Sequence, residues 1–190
     1  KFKIEGVINL MNNLTEKTLG VEDIYQGQVV NLKVKEVELP DGQISTREVV
    51  EHNGGAVVIP YHQGQVILIK QFRKAAEEVL YELPAGMLEE DEEPSNCAQR
   101  ELEEETGYRA ASLEKVSQFY TSPGFTSEEL HLYLATDLTE YEQQMDEHEF
   151  VEVEEIPIEK IEKKLASGQF KDAKTIIGLQ YLLQNYKKSK

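Results

Sequence analysis

The sequence predicts an α/β domain with a mixed or antiparallel sheet, preceded by a β-rich amino-terminal appendage. Three observations predict it. Four strand-like segments follow one another between Val29 and Phe72 before any convincing helix, which argues against a doubly wound nucleotide fold. Helical signals come only later in the chain. The length of 190 residues suits one compact domain with a small addition and not two full ones.

Val29–Leu39 alternates partly and is rich in β-branched residues, so it reads as a strand. Pro40-Asp41-Gly42-Gln43 supplies turn chemistry, and Ile44–His52 reads as the returning strand. Gly55–Tyr61 and Gln65–Phe72 form a second hairpin across His62-Gln63-Gly64. Pro94 suits the first turn of a helix and Gly107 its C′ position, which brackets a helix over Ser95–Thr106. Strands are then expected at Ser117–Tyr120, Leu130–Ala135 and Phe150–Val153. Helices are expected at Ile158–Ala166 and Asp172–Gln184, the second with a broad apolar face from Ile176 to Leu183. The chain begins with Lys1, and Met11 opens a more ordinary-looking start. Residues 1–10 are therefore expected to be an extension outside the fold, 11–52 the appendage and 53–190 the main domain.

Twenty basic residues against 36 acidic ones give a net charge of −16. That balance argues against nucleic acid or an anionic membrane as partner, because both would be repelled. A polyanionic small substrate would be repelled too unless a cation lay between it and the protein. One cysteine, Cys97, excludes an internal disulfide and a multi-thiolate zinc site, and it reads as a small core residue. No apolar run approaches the ~20 residues that span a bilayer. With no signal-peptide pattern at the amino end either, the expected compartment is the cytoplasm. The four histidines have no cysteine or serine companions at catalytic spacing, and His131 within a strand reads as a packed or surface residue.

The acid is concentrated. Glu89–Glu105 holds nine carboxylates against the single Arg100, and Glu140–Glu155 holds eight with no Lys or Arg. Both runs can be read as solvated faces. On a helix, however, Glu101, Glu104 and Glu105 share one face. Like charges at that spacing cost about 0.2–0.5 kcal/mol per pair. A hard cation held by those oxygens would reverse the sign of the effect.

From Gly86, five residues lead to Glu92, and seven more to Arg100-Glu101-Leu102-Glu103-Glu104-Glu105-Thr106-Gly107-Tyr108. This resembles the Nudix box, G-x5-E-x7-R-E-U-x-E-E-x-G-U, with U a bulky apolar residue. Every fixed position is matched, and Tyr108 is aromatic where an aliphatic is usual. The resemblance implies an α/β/α Nudix sandwich that hydrolyses pyrophosphate bonds. It implies Mg²⁺ as cofactor, with Mn²⁺ as a substitute, held by Glu101, Glu104, Glu105 and the Ala85 carbonyl. Arg100 is expected to pair with box carboxylates such as Glu104, and Glu92 to organise the turn into the helix.

Ser122-Pro123-Gly124 places Pro123 fifteen residues after Tyr108. That is similar to the proline that marks the ADP-ribose pyrophosphatase branch, although it reads equally as a turn between strands. Tyr25-Gln26-Gly27, Thr46-Arg47-Glu48, Lys70-Gln71-Phe72-Arg73, Glu82-Leu83-Pro84-Ala85-Gly86 and Asp172-Ala173-Lys174 also resemble bacterial members. The branch then implies that Arg47 and Glu48 serve an adenine site across a homodimer interface, that Arg73 contacts phosphate and that Glu128 holds the terminal ribose. It also implies that the late acidic window Asp146-Glu147-His148-Glu149 holds the base and a further metal ligand, with Glu147 favoured as the base and Glu149 as the ligand over the reverse assignment. The expected reaction is hydrolysis of ADP-ribose to AMP and ribose 5-phosphate. The rivals are another nucleoside diphosphate sugar, such as GDP-mannose, and a non-catalytic nucleotide-sensing module. An acidic calcium buffer would lack any calcium loop.

Overall fold

In the computed structural model, which describes residues 14–143 and 150–188, the chain forms two compact units. One runs up to His52 and also takes in Ser122–Glu128; the other comprises Asn53–Thr121 and the chain from Glu129 onward. Residues 1–10, expected to be an extension, lie outside the described residues.

The first unit is a three-stranded antiparallel sheet of β1 (Lys17–Gln26), β2 (Asn31–Glu38) and β3 (Ile44–Glu51), in that order. β2 and β3 are the predicted hairpin, closed over the Pro40–Gln43 turn with Gly42 at φ 83°. β1 has no counterpart among the predicted elements. Its sequence carries Gly20 and two acidic residues, its side chains are exposed along its whole length, and its register with β2 shifts twice. A burial pattern that uniform leaves no period-2 signal to read. The excursion Ser122–Glu128 is sewn to β3: the Val50 N–H donates to the Phe125 carbonyl at 2.7 Å, and the Ser127 N–H donates to the Val50 carbonyl at 3.0 Å.

The second unit contains a mixed sheet of β4 (Gly55–His62), β5 (Gln65–Arg73), β6 (Glu78–Glu82), β7 (Ala85–Met87), β8 (Tyr108–Tyr120), β9 (Glu129–Glu140) and β10 (Val151–Pro157). Its backbone order is β10-β5-β4-β9-β8, with β6 on β5 and β7 on β4. Among the described strands of this sheet, only β4 and β9 pair in parallel. The short strands β6 and β7 flank Leu83-Pro84 and show no extended alternation, which hid them in the sequence. β8 starts nine residues before the predicted Ser117, directly after the helix, because pairing with β9 continues through weakly patterned residues.

Helix α1 (Pro94–Thr106), α2 (Ile158–Ala166) and α3 (Ala173–Lys188) complete the described unit. Alternate residues of β4 feed opposite faces of the sheet. Val57 and Ile59 pack with Ile158, Ile161, Leu179 and Leu182 of α2 and α3. Ala56 and Val58 pack with Cys97, Ala98 and Leu102 of α1. Helices therefore cover both faces of the sheet. Among the described residues, no helix is long and apolar enough to cross a membrane.

Candidate active site

The site is built on α1. Pro94 fits the first turn because its missing N–H would find no partner there. The helix ends on Gly107, left-handed at φ 72°, whose N–H returns to the Glu103 carbonyl. Tyr108, the one unusual residue of the box, opens β8, and its hydroxyl donates to Glu155 at 2.8 Å. That polar partner accounts for an aromatic at this position.

Burial along α1 selects Cys97, Ala98 and Leu102 for the core, and it also takes in Glu101 at 8% and Glu105 at 1% exposure. Two carboxylates are thus carried inward by the same face that packs the helix. Glu105 Oε2 accepts from the Ala85 N–H at 2.9 Å, tying the helix to β7. Glu101 lies over Gly86: a Cβ at that glycine would stand 1.9 Å from Glu101 Oε1, so only glycine leaves the carboxylate its place. Cys97 is fully buried beneath them, and burial, with the Glu92 charge nearby, pushes its thiol up to about 12.

Arg100 gathers the rest. Its Nε and Nη2 form a fork to Glu92 at 3.0 and 3.0 Å, while Nη1 donates to Glu101 at 2.5 Å and to Glu104 at 3.1 Å. Nη2 also reaches the Met87 carbonyl at 3.2 Å. The fork raises the guanidinium further above its ordinary value and holds the Glu92 carboxyl below the usual carboxylate range. Glu92 in turn accepts the Glu89 N–H at 3.0 Å, so it closes the turn that leads into α1. Replacing Arg100 by Lys keeps the charge and loses the fork. That variant is expected to lower unfolding free energy by about 1–3 kcal/mol in a urea titration. An unchanged midpoint would show that the fork contributes nothing to the fold.

The donor chemistry fits Mg²⁺. The side chains of Glu101, Glu104 and Glu105 are carboxylates, hard oxygen ligands of the kind the ion takes, and the missing Cβ of Gly86 leaves the Glu101 carboxylate its place. Among the described residues no three His, Cys, Asp or Glu side chains converge tightly enough to form a closed ligand set, and Arg100 Nη1 stands between Glu101 and Glu104. The structure thus brings together Arg100, Glu101 and Glu104, and separately Glu105 with Ala85.

The remaining predicted residues fall as follows. Arg73, at the end of β5, is held in a fork by Glu82 at 2.6 and 2.8 Å. Glu82 is the site-proximal residue to which the sequence reading gave no role. It is 1% exposed, and although burial alone would raise its carboxyl pKa, Arg73 and Lys174 outweigh that and hold it low. In the β5–β6 register Arg73 stands opposite Glu78, but Glu78 pairs with Lys171 at 2.5 Å and the fork goes to Glu82. Arg47 and Glu48 lie in the first unit as neighbours on β3, so they project to opposite faces. Arg47 bonds Glu16 at 2.5 Å and Ser45 at 3.1 Å. Ser122-Pro123-Gly124 forms a turn in which the N–H groups of Phe125 and Thr126 return to the Ser122 carbonyl. Glu128, also in the first unit, stands 3.7 Å from His52 Nε2. Glu147 and Glu149 lie outside the described residues.

The family model described as a NUDIX domain matches residues 51–176. The chain is 48% identical over 175 residues to an ADP-ribose pyrophosphatase of Bacillus subtilis, covering 90% of this chain and 95% of that protein. It is 43% identical over 170 residues to a methanol dehydrogenase activator of Bacillus methanolicus, covering 88% and 92%. Among solved structures, a crystal structure of an ADP compounds hydrolase superposes with a TM-score of 0.81 at 21% identity, covering 93% of this chain and 96% of that one, a likeness of fold. The box around α1, the matched domain and these near full-length identities agree: the chain belongs to the Nudix family.

Proposed function

We propose that this protein is a Mg²⁺-dependent pyrophosphohydrolase that cleaves ADP-ribose to AMP and ribose 5-phosphate. One observation carries the choice of substrate: the 48% identical relative, matched over nearly its whole length, bears the name ADP-ribose pyrophosphatase. The carboxylates of α1 supply the chemistry. Glu101, Glu104, Glu105 and the Ala85 carbonyl, with Glu149, would hold the ion. When bound, it offsets the diphosphate charge against a protein of net charge −16 and makes phosphorus more electrophilic.

The chain's own residues do the rest. Arg73 contacts a phosphate, Arg47 and Glu48 hold adenine, and Glu128 and the Ser122-Pro123-Gly124 turn hold the terminal ribose. Glu147 accepts a proton from the attacking water. The water oxygen bonds to phosphorus, the bridging P–O bond breaks, and its electron pair leaves with the departing phosphate. Residues 53–190 form the hydrolase domain and 11–52 the dimer element of a cytoplasmic homodimer. The dimer reading draws support from β1, where Leu19, Val21, Ile24 and Tyr25 are all exposed.

A second reading, a module that acts on a partner protein, is favoured by the 43% identity to a protein named as an activator. The test is turnover of ADP-ribose and GDP-mannose, with a phosphatase releasing phosphate from the products, with and without Mg²⁺. Mg²⁺-dependent preference for ADP-ribose is expected. Preference for GDP-mannose would keep the chemistry and overturn the substrate. No turnover of either would favour the activator-like reading.

A further inference from the structure

Behind the box lies a closed ring of polar contacts. Glu82 ends β6, and its buried carboxylate takes two cations: the Arg73 fork on one side and Lys174 Nζ on the other. Lys174 also faces Asp172 at 3.1 Å. Asp172 sits just before α3 and accepts the Thr175 N–H at 3.0 Å and the Thr175 hydroxyl at 2.6 Å. The Thr175 oxygen accepts the Leu83 N–H at 2.8 Å, which returns the ring to the residue beside Glu82. The start of α3 is thereby locked to the end of β6, three residues before Ala85.

The ring holds one edge of Arg73 and leaves the other without a partner among the described residues. A guanidinium has five N–H groups in a rigid plane. Glu82 takes the Nε edge, Nη1 donates to no described residue, and the Arg73 side chain is 43% exposed. A buried carboxylate gripping one edge of a half-exposed arginine fixes the direction in which its free edge points. We propose that Glu82, secured by Lys174, is a positioning residue that presents the Nη1 edge of Arg73 to the substrate phosphate. The proposal rests on the reading of Arg73 as a phosphate contact. A purely structural ion pair would share the geometry but would act on stability and leave KM unchanged.

The test is a double-mutant cycle in the full-length protein with ADP-ribose and Mg²⁺. Glu82→Gln and Arg73→Ala are each expected to raise KM on the order of tenfold or more, with kcat changed far less. The double variant is expected to match Arg73→Ala alone, because Glu82 has no arginine left to orient. If the KM effects multiply instead, or if Glu82→Gln keeps the parent KM, the proposal is overturned. An unchanged KM in Arg73→Ala overturns the phosphate reading and the proposal with it. Absence of turnover in the parent protein overturns the hydrolase reading first. Should Glu82→Gln fail to fold, Lys174→Met, whose side chain is 13% exposed, takes its place in the same cycle. Multiplying KM effects there would overturn the proposal equally.

Discussion

Glu105→Gln is expected to lower kcat for ADP-ribose by on the order of 10²–10⁴, because it removes a charged oxygen from the set proposed to hold the cation that offsets the phosphate charge. The fold should survive. Glu105 is 1% exposed and accepts the Ala85 N–H through Oε2, and the side-chain carbonyl of glutamine can accept the same bond. What the amide adds is an NH₂ donor in a buried place, with a cost of about 1–2 kcal/mol. Saturating-substrate turnover and a thermal melt on the same preparation separate the two effects. A variant with near-parental kcat would remove Glu105 from the metal-binding set.

Gly86→Ala is expected to reduce turnover by about two orders of magnitude, by a different route. The new methyl would fall 1.9 Å from Glu101 Oε1, and real Cβ contacts do not come under 3.0 Å. The carboxylate must swing away, and its 2.5 Å bond to Arg100 goes with it. The obstructed group is the end of a side chain and not backbone, so the loss of stability is held to about 1–3 kcal/mol. The discriminating measurement is the Mg²⁺ activation curve. Its midpoint should move to higher concentration, and an unmoved midpoint would mean that Glu101's position is immaterial to the ion.

The sequence was most legible where periodicity and end signals coincide. Pro94 and Gly107 bracket α1 to within a residue because each does a job at a helix end that other residues do badly. The β4–β5 hairpin was equally plain, since Gln63 and Gly64 both sit at positive φ between two apolar runs. β1 was hidden because none of its side chains is buried, so no alternation was ever written into it. β10 runs on to Pro157, past the predicted Val153, although Glu154 and Glu155 look like loop residues. There Lys70 of the neighbouring strand takes Glu152 and Glu154 at 3.1 and 2.8 Å. For the site, helix spacing gave the Arg100–Glu104 pair at i+4 directly. It could not give Glu82, because that residue acquires its partners from strand β5 and from α3, far apart in sequence.

The stitch between Val50 and the Phe125–Ser127 backbone makes the boundary at His52 an untidy place to cut. A fragment beginning at Asn53 would keep Ser122–Glu128 but lose the strand it is hydrogen-bonded to, leaving the Phe125 carbonyl and the Ser127 N–H without their partner. Exposed, unpaired backbone of that kind invites association with other chains. Shortening, swapping or redesigning the amino-terminal strands therefore cannot be done independently of a loop some seventy residues away in sequence. Segments that look modular on a linear map must here be exchanged as a set.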